Sequence, residues 1–338
     1  MSTSVSNMSL KNYNTFGIDV KAKEFINITS EKDLIDILKT YVEHALFILG
    51  GGSNMLLTQD INALVVHINN KGIKLLKTID NHVIVEAAAG ENWHAFVLWC
   101  IAKNYGGVEN LSLIPGNVGT APIQNIGAYG IELKDVFYNC DAIHIKTQEK
   151  RTFTLEECDF GYRNSIFKNK LKGQYIITKV RFKLTKSKHQ LNTSYGAITS
   201  QLEQNAISEP TIQTISNAVI AIRQSKLPDP NKIGNSGSFF KNPVIKKELY
   251  DTLLKNFTNM PHYPVSDTFV KVPAGWLIEN AGFKGKQFGN YGVHKNQALV
   301  LVNYGGAKGK DIYELALLIQ KTVLRLFSIP LECEVNII

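Results

Sequence analysis

Residues 114–130 limit what this chain can fold into more than any other stretch. The run Ile114-Pro115-Gly116-Asn117-Val118-Gly119-Thr120-Ala121-Pro122-Ile123-Gln124-Asn125-Ile126-Gly127-Ala128-Tyr129-Gly130 holds four glycines, two prolines and no charged residue. It is too apolar for a solvent loop and too rich in glycine for the interior of a helix or strand. Buried irregular backbone must pair its N–H and C=O groups with something. Either the fold pairs them, giving a structural loop, or a large flat ligand does, with a pyrophosphate that takes N–H donors. A second segment of this kind, Gly50-Gly51-Gly52-Ser53-Asn54, follows the apolar run Leu46-Phe47-Ile48-Leu49. Its glycines permit positive φ and close backbone approach, and successive N–H groups can form an anion nest. Ser53 and Asn54 add side-chain donors; an ordinary tight turn is the competing reading. The spacing is not that of a dinucleotide-binding fingerprint, and Met55-Leu56-Leu57-Thr58 opens no helix.

Around these segments the apolar spacing predicts mixed helices and strands. Residues 32–45 read as a helix with Ser30 as N-cap, 93–104 as a helix stopped by Gly106-Gly107, and 211–225 as a helix ended by Pro228-Asp229-Pro230. Residues 311–327 read as an amphipathic helix. Strands are expected at 46–49, 64–68, 83–88, 142–146, 175–184 and 298–303, with a strand-like tail from Glu332. Without regular βα alternation, this pattern argues for an α+β fold rather than a doubly wound sheet. The Pro-Asp-Pro cluster is the best linker candidate.

Composition narrows the function. With 37 Lys+Arg against 29 Asp+Glu, the formal charge of +8 fits either nucleic-acid binding or a pocket for small anions. The longest basic patch, at 183–189, is short, so the small-anion reading is favoured. Cys100, Cys140, Cys158 and Cys333 are scattered, with no C-x-x-C, and read as reduced, mostly buried thiols. The eight histidines form no zinc motif. No apolar run is long enough to span a bilayer, and the N-terminus lacks a secretory pattern.

Taken together, the two glycine-rich segments resemble the flavin-binding signature of the UDP-N-acetylenolpyruvoylglucosamine reductases. So do Tyr162-Arg163-Asn164-Ser165, Gly237-Ser238-Phe239-Phe240-Lys241-Asn242-Pro243, Ala274-Gly275-Trp276-Leu277-Ile278-Glu279 and Leu331-Glu332-Cys333-Glu334-Val335. The motifs stand in the family's order over residues 14–338. Pro261-His262-Tyr263-Pro264, with the loop to Lys271, resembles the type that closes a tyrosine-bearing loop over substrate. Cys333 departs from the family, which often has proline or a polar residue there.

The resemblance implies a two-subdomain FAD-binding module of the vanillyl-alcohol-oxidase kind over 1–227, divided at about residue 70, with FAD between the subdomains. A substrate domain would cover 228–328, and the strand 329–338 would return to the active site. It implies a cytoplasmic, monomeric enzyme of peptidoglycan synthesis that binds neither nucleic acid nor membrane. It would use FAD and NADPH to reduce UDP-N-acetylglucosamine enolpyruvate to UDP-N-acetylmuramate. FAD contacts would come from Gly50, Gly51, Gly52, Ser53, Asn54, Pro115, Gly116, Gly119, Thr120, Ala121, Gln124, Asn125, Gly127, Ala128, Tyr129 and Arg223. The nucleotide sugar would meet Tyr162, Tyr195, Lys226, Asn242, Tyr263, Lys271, Lys284 and Gln297.

An enol ether conjugated to a carboxylate can accept hydride at its terminal carbon, so the site needs a hydride donor, charge stabilisers and an acid. Arg163 fits a bidentate carboxylate partner, although a lone arginine is more often in a structural ion pair. Glu334 would join it, better as an acid than as a second carboxylate. Ser238 would give the proton, with Lys226 or Asn242 assisting; without the family it would read as a turn serine. Each lysine would otherwise be a solvated surface charge. Two other readings stand beside this one. A related flavoprotein oxidising an alcohol or hydroxy acid would lack 237–243 and 261–271. A basic nucleic-acid binder rests on net charge alone.

Overall fold

The structure, a computed structural model, describes residues 4–338. The chain divides into two compact units. One holds the described residues up to 8, Ala22–Gly51 and Ile61–Ser225; the other holds Ser9–Lys21, Gly52–Asp60 and Lys226–Ile338. Ser9–Lys21 and Gly52–Asp60, which the sequence assigns to the flavin module, therefore cluster with the C-terminal unit.

The first unit is built on two sheets. In a four-stranded sheet the order is Val5–Ser9, Lys21–Ile28, Ile61–Ile68, Leu46–Leu49. Val65 lies opposite both Phe25 and Phe47, all three strands parallel. Helix Glu31–Thr40 covers this sheet with Leu34, Ile37 and Leu38 against Ile26 and Val66. Ser30 Oγ accepts from Asp33 N at 3.0 Å, the N-cap read from the sequence. The helix stops at Thr40, short of 45, and His44 N–H turns back to Tyr41 O.

The second sheet is antiparallel, in the order Lys150–Thr154, Phe137–His144, Tyr175–Thr185, His82–Ala88, Ile73–Ile79. Helix Trp93–Ala102 packs on it through Trp93, Phe96, Val97 and Cys100, with the Phe96 and Phe182 rings 4.5 Å apart. Its stop is Asn104, not Gly106-Gly107. Asn104 takes φ 57°, its N–H donates to Ile101 O, and Tyr105 N–H donates to Cys100 O, closing a Schellman motif. An asparagine tolerates that conformation, so the chain turns before it reaches the glycines. Helix Ile212–Lys226 packs Ile215, Val219 and Ile222 against Ile198 and Leu202 of Gly196–Gln204.

In the second unit, helix Gly309–Phe327 buries Ile312, Leu315, Ala316, Ile319 and Val323, as its periodicity predicts, but Leu326, expected in the same stripe, is exposed and Phe327 is buried in its place. Two three-stranded sheets accompany it: Gln287–Phe288, Tyr291–Val293 and Leu301–Asn303, and Val244–Lys246, Phe269–Lys271 and Tyr263–Pro264. The C-terminal strand Asn336–Ile337 pairs in parallel with Met55–Leu56.

Candidate active site

The two glycine-rich segments meet inside the first unit. A Cβ on Gly51 would lie 2.8 Å from Gly116 Cα, and one on Gly50 2.5 Å from Thr120 Cγ2. Gly119 is pressed on Ala89, whose Cα would be 2.9 Å from an added Cβ. The loop is pinned from below: Val118 N–H donates to Glu91 O at 2.8 Å, Gly119 N–H to Ala89 O at 2.9 Å, and Trp93 N–H to Gly116 O at 2.9 Å. Ala121 is buried, whereas Pro115 and Thr120 are exposed. Among the described residues, the N–H groups of Gly50, Gly51, Gly116 and Asn117 meet no protein acceptor. Side-chain-free backbone with open amides on two adjoining turns suits a pyrophosphate. Gly52, at φ 60°, has no room for a side chain against Tyr13 O and Asn14 Cα.

The hairpin 161–164 closes over the far end of this loop. Gly161 and Asn164 exchange backbone hydrogen bonds, leaving Tyr162 and Arg163 at the tip. Arg163 takes φ 53°, a left-handed conformation uncommon for a long side chain. Bonds join the hairpin and the residues just after it to the loop: Arg163 Nη2 to Gly127 O at 2.9 Å, Asn125 Nδ2 to Gly161 O at 3.1 Å, Ser165 Oγ to Ile123 O at 2.7 Å, and Lys168 Nζ to Gln124 Oε1 at 3.4 Å. Lys168 Nζ also donates to Arg163 O at 3.3 Å. Asn125 binds Glu132 as well, accepts from Lys134 N, and gives its own N–H to Ala121 O, so it works as a clamp on the loop.

A positive cluster stands beside the hairpin. Arg223 Nε donates to Leu113 O at 3.2 Å, and its guanidinium lies near the Tyr129 hydroxyl. Burial pushes the Arg223 pKa down; the nearby Tyr129 hydroxyl opposes this, and the nearby charge of Arg163 adds to it. Burial pushes the Tyr129 hydroxyl up. The Tyr129 and exposed Tyr195 rings meet edge to face at 5.2 Å. His94 stands near Arg223 as a neutral neighbour: its pKa is lowered by burial and then by the Arg223 charge. Ala128 lies in the short hairpin that leads to Tyr129.

In the second unit, Ser238 is half-buried and its backbone is held on both sides. Gly237, at φ 70°, donates its N–H to Asn235 Oδ1, and Phe239 N–H donates to Leu299 O at 2.8 Å. Glu334 N–H donates to Phe239 O at 2.8 Å and Phe240 bridges Cys333, so the tail runs antiparallel to 239–241, with Glu334 opposite Phe239, the chain neighbour of Ser238. Asn54 reaches the same strand: its Nδ2 donates to Glu334 O, and its own carbonyl accepts from Asn336. Ser53 precedes it, half-buried. Asn242 Oδ1 accepts from Ala274 N at 2.9 Å, capping the helix Ala274–Asn280, and Gln297 Oε1 accepts from Leu299 N. Tyr263 and Lys271 lie directly opposite each other on an exposed hairpin, where the sequence suggests an open loop. Lys284 pairs with Glu279 at 2.7 Å, and Lys226 is exposed at its helix end.

Family models match both parts of the chain: "FAD binding domain" over residues 22–149 and "UDP-N-acetylenolpyruvoylglucosamine reductase, C-terminal domain" over residues 229–338. A UDP-N-acetylenolpyruvoylglucosamine reductase of Flavobacterium johnsoniae is 62% identical, over 98% of this chain and 99% of its own. This chain belongs to that reductase family. The Pseudomonas putida member is 48% identical over 98% of this chain and 97% of its own. The solved family structure from Thermus caldophilus superposes with a TM-score of 0.68 at 23% identity, covering 100% of this chain and 98% of that one, which establishes the shared fold.

FAD fits the residues present: open amides on the two glycine turns, and Arg163 and Arg223 near the loop's end. Two residues of this region escape sequence reading. Lys168 and His94 act through partners far away in the chain, and a lysine or histidine alone carries no local signal of that.

Proposed function

We propose that this chain reduces the enolpyruvyl ether of UDP-N-acetylglucosamine to the lactyl ether, giving UDP-N-acetylmuramate for peptidoglycan. The near-complete match to a reductase of this family, with an FAD-binding domain, carries the reading. When bound, FAD supplies the hydride through N5 after NADPH has reduced it. The protein's part is to bind, orient and move a proton. Arg163, fixed at the hairpin tip by Gly127 O, stabilises the charge that gathers on the substrate carboxylate. Glu334 serves as an acid at that carboxylate, because a second anion there would repel it. Ser238 delivers the proton to the carbon next to the carboxylate while hydride reaches the terminal carbon, and the C=C bond becomes a C–C bond with two new C–H bonds.

Gly50–Asn54 and 115–129, with Arg223, hold the cofactor. Tyr162, Tyr195, Lys226, Asn242, Tyr263, Lys271, Lys284 and Gln297 take the nucleotide sugar. Residues 1–227 serve as the FAD module, 228–328 as the substrate domain and 329–338 as the returning strand. The enzyme works in the cytoplasm as a monomer; no helix among the described residues is long and apolar enough to cross a membrane. Ser238→Ala tests the assignment. In stopped flow, NADPH should bleach the flavin band at the parent rate, while return of the band with substrate slows about 10²–10⁴-fold. Equal loss in both halves would remove Ser238 as the proton donor.

A further inference from the structure

Leu113, which opens the glycine-rich loop, takes φ 58°. Left-handed backbone is unfavourable for a branched side chain, and such a residue persists only where its surroundings hold it. The two polar groups of Leu113 are both gripped. Its N–H donates to His94 Nδ1 at 2.9 Å, and its carbonyl accepts from Arg223 Nε at 3.2 Å. The flanking residues are gripped as well: Trp93 Nε1 donates to Leu111 O, Ser112 Oγ meets Ser216 Oγ, and Trp93 N–H donates to Gly116 O. The first turn of helix Trp93–Ala102 and the helix Ile212–Lys226 thus clamp 111–116 between them.

We propose that His94 is a positioning residue for the flavin site, holding Leu113 in its left-handed conformation through Nδ1 and so setting the path of the loop at Gly116 and Asn117. Accepting at Nδ1 requires the neutral ring with its proton on Nε2. The half-buried setting and the Arg223 charge both favour that form. Without the acceptor, the Leu113 N–H loses its partner, and Leu113 is free to relax to negative φ, which redirects the chain leading into Pro115. This proposal rests on the FAD reading and deepens it.

The test uses the position of the acceptor atom. In His94→Asn, Oδ1 can take the place of Nδ1, whereas in His94→Gln the amide lies further out, near Nε2; His94→Leu removes the acceptor. FAD affinity of the three apo-proteins is measured by quenching of flavin fluorescence, with thermal midpoints of the apo-proteins recorded beside it. His94→Leu and His94→Gln should bind FAD about tenfold more weakly, as expected when a part-buried N–H loses its partner. His94→Asn should stay within about threefold of the parent, since its acceptor is retained. If Asn and Gln lose affinity equally, or if Leu binds as the parent does, His94 does not act through Leu113. An affinity loss that tracks a fall in apo-protein midpoint across all three variants would equally overturn the proposal, leaving a packing role. A parent protein that binds no FAD fails the flavin reading instead, an outcome visible before any variant is made.

Discussion

Gly119→Ala probes how the glycine-rich loop is seated. The added methyl would lie 2.9 Å from Ala89 Cα and 3.2 Å from Ala89 O, besides pressing on Ala89 Cβ. Carbon contacts relax at about 3.5–4.0 Å, so the turn must retreat by about 1 Å. The obstacle is backbone, and the retreat strains the bonds from Gly119 to Ala89 and from Val118 to Glu91. Overpacking costs about 1–3 kcal/mol and each weakened hydrogen bond up to about 1 kcal/mol, giving about 3 kcal/mol, or roughly a hundredfold in FAD affinity. Gly50→Ala is the contrast. Its obstacle is the Thr120 methyl at 2.5 Å, on an exposed side chain that can rotate at the expense of its bond to Asn117 O. That costs about 1 kcal/mol, or about fivefold, and Thr120→Ser, which removes the methyl and keeps the hydroxyl, should restore it. Fluorescence titration of the apo-proteins with FAD gives all four affinities. Parent-like affinity in Gly119→Ala would refute the seating of the loop on Ala89, and no relief of Gly50→Ala by Thr120→Ser would refute the contact between the two segments.

Other consequences concern charge. Arg163→Lys keeps the charge and loses the planar fork, so substrate reoxidation of the flavin should slow about a hundredfold while reduction by NADPH stays near the parent rate; unchanged turnover would take Arg163 out of the mechanism. Asp141 lies within the antiparallel sheet. Burial acts to raise its pKa, but bonds from Arg181 and Thr152 and the charges of Arg181 and Lys150 outweigh it and hold the carboxyl at about 2. A folded pKa below the unfolded value means the stabilisation is full above about pH 4 and is lost as pH falls through about 2. Asp141→Asn should therefore flatten acid unfolding in that window, followed by far-UV circular dichroism. At neutral pH it should destabilise the first unit by about 3 kcal/mol, because Arg181 loses one of its two carboxylates. A parent-like acid transition in Asp141→Asn would refute this assignment.

Local patterns were legible in the sequence because they depend on neighbours. The Ser30 cap, the buried stripe of Gly309–Phe327 and the strand Tyr175–Thr185 all follow from residues within a turn or two of each other. Helix ends were less so: Asn104 stopped its helix ahead of two glycines, because a single residue able to turn left-handed is enough. The glycine-rich segments announced close backbone approach, but not which backbones approach; the pairing of Gly51 with Gly116 bridges 65 positions (116 − 51). The tail shows the same limit. A strand at the terminus is readable, whereas its pairing with Met55–Leu56, and hence the grouping of Gly52–Asp60 with the C-terminal unit, is a long-range choice of register. His94, Lys168 and Asn125 owe their roles to hydrogen bonds with distant loops, so no window of sequence contains the reason for them.

The central claim is that one bound flavin is reduced by NADPH and reoxidised by the enolpyruvyl sugar. An anaerobic visible spectrum of the FAD-loaded protein, taken before NADPH, after it, and then after UDP-N-acetylglucosamine enolpyruvate, tests this in one cuvette. The band near the flavin maximum should vanish with NADPH and return in full with one equivalent of substrate. A band that bleaches and does not return would contradict the reductase assignment while leaving the flavin site standing. Absence of bound flavin after reconstitution would contradict the reading of the glycine-rich segments themselves.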